Sequence, residues 1–479
     1  MSVAARAFSD AVRDVRAWAH GEPRHGLAGP TCGDRAGLPA PSVESRIAET
    51  ARQLRLGRIT CATLAREALD RASSHAELGA FAAIDEASVL SAAVRCDDEL
   101  VAGHDRGLLH GIPIGVKDNI DVAGLPTRAG SDAYNQQPTS DAAAVANLRR
   151  AGALILGKTT THEFALGVTT PQARNPADPD RVPGGSSGGS AIAVAIGSVH
   201  AALGTDTRAS VRIPAALTGV VGYKPSFDLL PTDGVLPLSW SMDHVGVLAT
   251  TCADAWLVAF HAGAFRNPII EHPDQHSAVC GLRIGVADAA LIDADPAVHA
   301  AFGRSLEIAA DAGANIVSLA NPTAEDFDAA TAAGLLISRC EAAAFHRAAG
   351  TDPAQCWTET REQLDAAHEI RASDYVDAQR LRSALRRHLA DIFTTVDLLA
   401  LPTALIQAPL RKDATRYLGL LARNSIPWSL VGFPAVSMPA PVEAGDLPVG
   451  LQLVAHAGKD ADLLTAVVAL ESEVPVHAA

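Results

Sequence analysis

Two serine-bearing turns are the places where this chain could most readily do chemistry. The first lies in Gly184-Gly185-Ser186-Ser187-Gly188-Gly189-Ser190, and the second in Gly204-Thr205-Asp206-Thr207-Arg208-Ala209-Ser210. Glycine is enriched where a backbone approaches another group closely. Each turn leads towards a predicted helix start, where unpaired N–H groups favour negative charge. A Gly/Ser-rich linker is the alternative, but a linker does not run directly into an apolar helix and strand.

Lys117 is a third candidate, because it follows a segment with the alternation of a strand. Ile112, Ile114 and Val116 occupy every second position before it. A lysine placed where water is scarce loses its proton more readily. Taken alone, the position also suits an exposed lysine at a strand end. No histidine neighbours a candidate nucleophile in the sequence, so a neutral lysine is the candidate base.

Composition narrows the class of protein. The chain has 479 residues, 48% of them hydrophobic, which is ample for a large core. A net charge of −15, with no basic block and 4% aromatic residues, disfavours nucleic-acid binding. The seven cysteines are scattered without a CxxC pair, which indicates reduced thiols in a cytoplasmic enzyme and no metal site. No apolar run reaches the length of a membrane span, and no signal peptide is recognisable at the start.

The elements around the candidate residues indicate an α/β protein. The run after Ser187 predicts a buried helix, Val199 to Leu203 a strand, and Ser210 to Leu217 a second helix. Residues 282–319 read as strand, helix, strand and could form a separate lobe. Asn424 to Pro439 suits a substrate-facing wall as well as a simple connection. Residues 1–42 are expected to be a peripheral extension and linker, and residues 43–479 the main domain.

Three ordered motifs carry a resemblance to a known family. They are Gly-Ile-Pro-x-x-Val-Lys-Asp at 111–118, Gly-Gly-Ser-Ser-Gly-Gly-Ser at 184–190 and Gly-Thr-Asp-Thr-x-x-Ser-Val-Arg-x-Pro-Ala at 204–215. Together they resemble the amidase signature family, over about residues 45–471. The 24-position spacing of Ser186 and Ser210 also agrees.

The resemblance implies a role for each candidate. Ser210 would be the nucleophile, and Lys117 the base, neutral at rest. Ser186 would bridge them, held by a cis peptide bond after Gly185. The oxyanion hole would be formed by the backbone N–H groups of Thr207, Arg208, Ala209 and Ser210. Structural support would come from Gly185, Ser187, Asp206 and Arg212, with Asp206 and Arg212 pairing to brace the turn.

The same resemblance implies an architecture and a set of partners. It implies a single α/β/α domain with a large central mixed β-sheet flanked by helices. It implies amide hydrolysis through a serine acyl-enzyme, with no cofactor and no metal. The partner would be a small-molecule amide, with no nucleic acid and no membrane, and a homodimer is left open.

The chain departs from the family pattern in three places. Arg208-Ala209 stands where the family usually has two glycines, or glycine and a small residue. The Arg208 side chain could pair with a substrate carboxylate or turn to solvent. Ile213 stands where the glutamine-using proteins of the family tend to have glutamine, and Ser226-Phe227-Asp228 replaces a more usual Thr-x-Gly.

Four interpretations therefore stay open at this point. They are a stand-alone amidase, a glutaminase subunit of a tRNA amidotransferase, a urea-derivative hydrolase of the allophanate type, and a non-enzymatic binding protein whose oxyanion hole is spoiled by Arg208-Ala209.

Overall fold

An 11-stranded mixed sheet runs through the computed structural model, which describes residues 10–16, 45–264 and 278–473. In spatial order the strands are β1-β3-β2-β4-β6-β5-β10-β11-β9-β7-β8. Their bounds are β1 Phe81–Ala83, β2 Pro113–Lys117, β3 Leu154–Thr159, β4 Ala201–Asp206, β5 Val221–Lys224, β6 His244–Ala249, β7 Arg283–Ala287, β8 Asn315–Leu319, β9 Leu398–Pro402, β10 Ala435–Pro439 and β11 Gly450–Val454.

Helices cover both faces of this sheet. Their bounds are α1 Arg46–Arg55, α2 Cys61–Ser74, α3 Glu86–Val101, α4 Ala143–Arg150, α5 Gly188–Ala195, α6 Arg212–Thr218, α7 Cys252–Ala259, α8 Pro296–Asp311, α9 Ala324–Ala349, α10 Thr358–Ala367, α11 Ala372–Ala390, α12 Leu418–Ala422, α13 Ile426–Val431 and α14 Asp460–Glu473.

The alternation of side chains along a strand separates two hydrophobic cores. In β9, Leu398 and Ala400 belong to the core formed with α8 and α14. Leu399 and Leu401 belong to the opposite core, formed with α9, α11 and α13. Successive strand residues point to opposite faces, so the molecule has three layers, helices on sheet on helices. The predicted α/β/α architecture is confirmed.

The predicted elements around the two serine turns are present, with shifted ends. The helix after Ser187 is α5, the strand is β4, and the second helix, α6, begins only at Arg212 because residues 207–211 form the turn. The expected separate lobe at 282–319 is wrong, since β7 pairs with β9 in parallel and joins the same sheet. The predicted domain boundary after residue 42 lies outside the described residues and stays a prediction.

The segment 424–439 folds as part of the core, and its role as a substrate-facing wall stays a prediction. It contains helix α13 and strand β10, and Trp428 is fully buried, with its indole N–H donating to the Asn424 carbonyl at 2.9 Å. Phe433 is also buried. The aromatic residues of this segment therefore belong to the core formed with α9 and α11.

The parallel part of the sheet brings the candidate residues to one edge. Strand β2 pairs in parallel with both β3 and β4. The carboxyl ends of parallel strands meet at one edge, where ligands bind in α/β folds. Lys117 ends β2 and Asp206 ends β4, so the sheet itself sets these two side chains next to each other.

Gly189 fixes how closely α5 lies against this edge, and its replacement is our first prediction. A Cβ at Gly189 would meet the backbone nitrogen of Thr160 and lie 2.5 Å from the carbonyl oxygen of Ala80. We expect Gly189→Ala to lower the free energy of unfolding by about 1–3 kcal/mol or more, because backbone cannot yield as a side chain can.

Gly303, inside α8, is the matched control for this change. A Cβ there would meet nothing within 4 Å. Gly303→Ala should therefore raise the unfolding free energy by about 0.5–1 kcal/mol through helix propensity. Urea denaturation of both variants measures whether the free energy of unfolding falls or rises. An unchanged free energy of unfolding in Gly189→Ala would contradict the close packing of α5.

Candidate active site

Lys117 lies at the centre of the site with its amine surrounded by neutral acceptors. Its side chain is fully buried. Nζ is 2.7 Å from Ser186 Oγ, 2.8 Å from Thr205 Oγ1 and 3.4 Å from the Thr205 carbonyl oxygen. No carboxylate is hydrogen-bonded to this amine in the described part of the chain. The alternative of an exposed lysine at a strand end is therefore wrong.

Burial changes the protonation of this lysine. Loss of hydration lowers the pKa of Lys117 from its usual 10.5 to about 7, although the negative charges of Asp206 and Asp243 act in the opposite direction. A buried ammonium without a hydrogen-bonded carboxylate releases its proton more easily than one in water. A large share of Lys117 is thus a neutral amine near pH 7, as a general base must be.

The glycine-rich loop holds Ser186 against this amine. The Gly185–Ser186 peptide bond is cis, as the resemblance implies. A Cβ at Gly185 would lie 2.7 Å from the backbone nitrogen of Thr169, so only glycine fits there. Ser187 ties the loop to the second turn, because its N–H donates to the Ser210 carbonyl at 3.2 Å and its hydroxyl to the Thr205 carbonyl at 3.3 Å.

The second turn leaves four consecutive backbone donors free. Among the described residues, no acceptor is bound by the N–H groups of Thr207, Arg208, Ala209 and Ser210. Buried backbone N–H groups are nearly always paired in folded proteins. A run of four free donors beside the Ser210 hydroxyl is therefore suited to stabilise a developing oxyanion.

A buried ion pair shapes that turn. Asp206 and Arg212 are both fully buried, and two Arg212 nitrogens lie 3.0 Å from the Asp206 carboxylate. The same carboxylate accepts the Val211 N–H at 3.2 Å, which pins the end of the turn. Burial raises the pKa of Asp206, but the charge and hydrogen bonds of Arg212 outweigh it and hold the pKa well below its usual range.

Arg212 has a partner for each of its five N–H donors. Besides the two bonds to Asp206, it donates to the Ser425 carbonyl at 2.9 Å, to Gln452 at 2.7 Å and to Ser429 at 2.6 Å. These partners come from α13, its N-terminal side and β11. The pair thereby links the serine turn to the antiparallel half of the sheet.

Asp243 braces the other side of the turn, a role that the sequence did not reveal. Its carboxylate accepts the Thr207 hydroxyl at 2.5 Å and the backbone N–H groups of Leu238 and Ser239 at 2.9 and 3.0 Å. Burial raises the pKa of Asp243 to about 7, although these hydrogen bonds oppose the rise. Asp243 lies just before β6 and reaches the turn because β6 pairs with β4. No local sequence motif reveals such a long-range contact.

Three further charged or polar residues converge here, and two of them, Arg339 and Glu359, carry no sequence signal. His162 abuts the site, since its backbone N–H donates to the Ser186 carbonyl at 3.1 Å. Arg339, from the middle of α9, is only 4% exposed, and its Nη1 has no hydrogen-bond partner among the described residues. Glu359, in the first turn of α10, is half-buried and lies within electrostatic reach of both Arg208 and Arg339.

Comparison with known proteins agrees with this geometry. The family model described as Amidase matches residues 63–464. The chain is 36% identical over 348 residues to an amidase from Pseudomonas putida, covering 70% of this chain and 74% of that protein. It is 32% identical over 462 residues to the glutamyl-tRNA(Gln) amidotransferase A subunit from Gloeobacter violaceus, covering 86% and 93% of the two chains.

A solved structure gives the same result. A crystal structure of amidase superposes with a TM-score of 0.82 at 36% identity, covering 89% of this chain and 99% of that chain. The chain therefore belongs to the amidase family, and it is an enzyme that hydrolyses amide C–N bonds. The interpretation as a non-enzymatic binding protein is wrong.

Metal ligation and membrane spanning both lack a structural basis in the described ranges. Within residues 10–16, 45–264 and 278–473, no group of three or more His, Cys, Asp and Glu side chains is arranged to hold a metal ion. In the same ranges, every helix is too short or too polar to cross a membrane.

Removing Arg212 tests the bracing of the turn. We expect Arg212→Met to lower the unfolding free energy by about 3–5 kcal/mol, because the Asp206 carboxylate is then buried without its counter-ion. The exposed pair of Arg283 and Asp397, joined at 2.7 Å, is the control, and Arg283→Met should cost no more than about 1 kcal/mol. Equal losses in the two variants, measured by urea denaturation, would contradict the account.

Proposed function

We propose that the chain hydrolyses a small-molecule carboxamide with Lys117, Ser186 and Ser210 as its catalytic residues. The observation that carries this proposal is the 2.7 Å contact from the buried Lys117 amine, whose pKa is lowered to about 7, to Ser186 Oγ. Four free N–H donors next to Ser210 support it. A nucleophile, a base and oxyanion donors are what acyl transfer requires.

In the first half of the reaction Ser210 becomes acylated. The Lys117 amine takes a proton from Ser186, which takes one from Ser210, and Ser210 Oγ bonds to the amide carbon. The carbonyl oxygen becomes an oxyanion held by the N–H groups of residues 207–210. The C–N bond then breaks as the proton passes from Lys117 through Ser186 to the leaving nitrogen, which departs as ammonia or an amine.

In the second half, water replaces the amine. The same relay removes a proton from water, whose oxygen bonds to the acyl carbon. The bond from the carbon to Ser210 Oγ breaks, Ser210 regains its proton through Ser186, and a carboxylic acid leaves. The neutral Lys117 amine is regenerated, so the relay needs no external base.

One hydrogen bond of this relay has still to form. Among the described residues, the Ser210 hydroxyl has no hydrogen-bond partner, although its carbonyl already accepts the Ser187 N–H. A serine hydroxyl changes place by rotation about one side-chain torsion. Catalytic hydrogen bonds commonly tighten only when substrate is bound, and we expect the Ser186–Ser210 bond to form in that complex.

Location and partners complete the proposal. We propose a cytoplasmic enzyme, supported by the free thiols of all six cysteines that the structure describes. A small-molecule amide is the proposed partner, without nucleic acid, and a homodimer stays a prediction.

A glutaminase component of an amidotransferase is the second candidate. The 32% identity to the glutamyl-tRNA(Gln) amidotransferase protein of Gloeobacter violaceus, over most of both chains, favours it. Such a component would release ammonia from glutamine and co-purify with its partner chains. Rapid glutamine hydrolysis only in the presence of co-purified partners would support this candidate over the stand-alone amidase.

Replacing Ser210 tests the nucleophile. We expect Ser210→Ala to lower amide hydrolysis by at least about 10³-fold and to abolish labelling by a fluorophosphonate, since no acyl-enzyme can form. Ser190→Ala is the control, because its buried hydroxyl binds Thr159 at 2.6 Å and takes no part in the relay. Labelling that survives in folded Ser210→Ala would overturn the assignment.

The pH profile tests the base. Because protonated Lys117 cannot accept a proton, kcat/KM should fall as pH drops through about 7, the pKa of this lysine. Asp243 also has a pKa of about 7, so Asp243→Asn is the control and should keep the acidic limb. A flat profile from about pH 5 to 9, or a limb that disappears in Asp243→Asn, would exclude Lys117 as its source.

A further inference from the structure

Two largely buried arginines beside the serine turn have no hydrogen-bonded partner among the described residues. Arg208 belongs to the turn itself, two positions before Ser210, and Arg339 projects from the middle of α9. Within the same residues, neither guanidinium makes an ion pair, and Arg339 Nη1 is fully shielded from solvent. Arg339 as a whole is only 4% exposed.

Two buried guanidiniums without a partner are unfavourable unless another group binds to them. Arginine stays protonated in proteins, and a buried charge without a partner costs several kcal/mol. Burial lowers the pKa of Arg208 to about 10, and burial together with the Arg208 charge lowers the pKa of Arg339. The two guanidiniums therefore repel each other in a region with little water.

Both arginines lie close to the reacting groups. Burial lowers the pKa of His162 to about 3, with further contributions from the charges of Lys117, Arg339 and Arg208. Charges act on a neighbour in this way only over short distances. Geometry places the same elements together: His162 contacts the Ser186 carbonyl through its N–H, and its ring lies 5.3 Å from the ring of Trp357, two positions before Glu359.

Glu359 is a carboxylate whose negative charge acts on both arginines. It opposes the lowering of their pKa values by burial. Within the described ranges, its oxygens form no ion pair within 4 Å with either guanidinium. Burial raises the pKa of Glu359, although the charges of Arg339 and Arg208 oppose the rise. Glu163 also acts on Glu359, but its carboxylate accepts the Ser131 hydroxyl and the Trp357 N–H, so neither arginine is neutralised by a direct ion pair among the described residues.

We propose that Arg208 and Arg339 bind a carboxylate on the substrate, so that the enzyme prefers amides bearing a carboxylate near the scissile bond. Monoamides of short dicarboxylic acids are the substrate class. The proposal rests on the amide hydrolysis proposed above. A guanidinium offers several N–H donors in a planar fork that matches a carboxylate, and the free Arg339 Nη1 is the donor that awaits it.

The identity of Arg208 gives independent support. An oxyanion needs only the backbone N–H groups of this turn, and the amidase signature family usually has glycine at the position of Arg208. A long charged side chain is therefore not required by the proposed chemistry. Arg208 and Arg339 come from separate parts of the chain, and their convergence on one site matches the recognition of one anion from two sides.

The experiment compares each acid amide with its neutral isostere. Malonamate, succinamate and glutaramate are paired with malonamide, succinamide and glutaramide, and ammonia release gives kcat/KM by initial rates. In the wild-type enzyme, at least one acid should exceed its diamide by about tenfold to a hundredfold, the value of a charge-assisted hydrogen bond. Diamides that match or exceed the acids at all three lengths would overturn the proposal.

Variants assign the preference to the two arginines. Arg339→Met should bring the acid-to-diamide ratio of the best pair close to one, because kcat/KM for the acid falls more than kcat/KM for the diamide. Arg208→Gly should act in the same direction. Arg347→Met is the matched control, because Arg347 is exposed on the same helix, and it should keep the wild-type ratio.

Glu359→Gln separates an anion site from a structural ion pair. If the arginines bind substrate, loss of the competing charge should raise the acid-to-diamide ratio by about threefold to tenfold. If Glu359 and Arg339 instead form a structural pair, the variant should lose activity on acids and diamides alike. That second result, combined with an unchanged ratio in Arg208→Gly, would overturn the proposal even if Arg339→Met fails to fold.

Fluorophosphonate labelling keeps this inference distinct from the proposed function. A labelled wild-type enzyme that favours no acid contradicts only the inference. A wild-type enzyme that is neither labelled nor active contradicts the proposed function, and succinate binding to Ser210→Ala then tests the arginines directly by thermal shift. Stabilisation by succinate that Arg339→Met removes would support the anion site, and its absence in the parent would overturn it.

Discussion

The burial of the Lys117 amine without a hydrogen-bonded carboxylate is the constraint on which the rest of the site depends. A lysine in this place stays charged if a carboxylate contacts it, and then cannot serve as a base. Two carboxylates, Asp206 and Asp243, are near enough for their charges to be felt. Each is held by other donors, so neither contacts the amine.

Arg212 and Thr207 are what keep those carboxylates away. Arg212 donates twice to Asp206, and the hydroxyl of Thr207 donates to Asp243. The same contacts fix the two ends of the turn between β4 and α6, where four backbone N–H groups stay free. A single arrangement thus accounts for both a neutral base and a set of unoccupied oxyanion donors. The fully bonded guanidinium of Arg212 extends this arrangement to α13 and β11.

The sequence predicted those parts of the site that lie in short segments. The glycine loop, the serine turn and the strand before Lys117 each carry a local pattern of glycine, hydroxyl or apolar residues. The three-layer fold was predicted from the resemblance of the three motifs to the amidase signature family. Arg339 and Glu359 could not be found in this way, since they lie in ordinary helices and reach the site only through the packing of α9 and α10. Asp243 was missed because it reaches the site only through the pairing of β6 with β4. For the segment 424–439 the sequence left two interpretations open, because Trp428 and Phe433 suit a binding wall and a core equally well.

The protonation of Lys117 can be measured directly, apart from turnover. The chain has five lysines, at positions 117, 158, 224, 412 and 459, so a protein labelled with ¹³C at lysine Cε gives few signals, assignable by single substitutions. Lys224 also has a pKa of about 7, lowered by burial, and its substitution removes the ambiguity. The account predicts that the Lys117 signal of Ser210→Ala titrates with a midpoint of about 7. A midpoint near 10.5, the ordinary value for lysine, would contradict it.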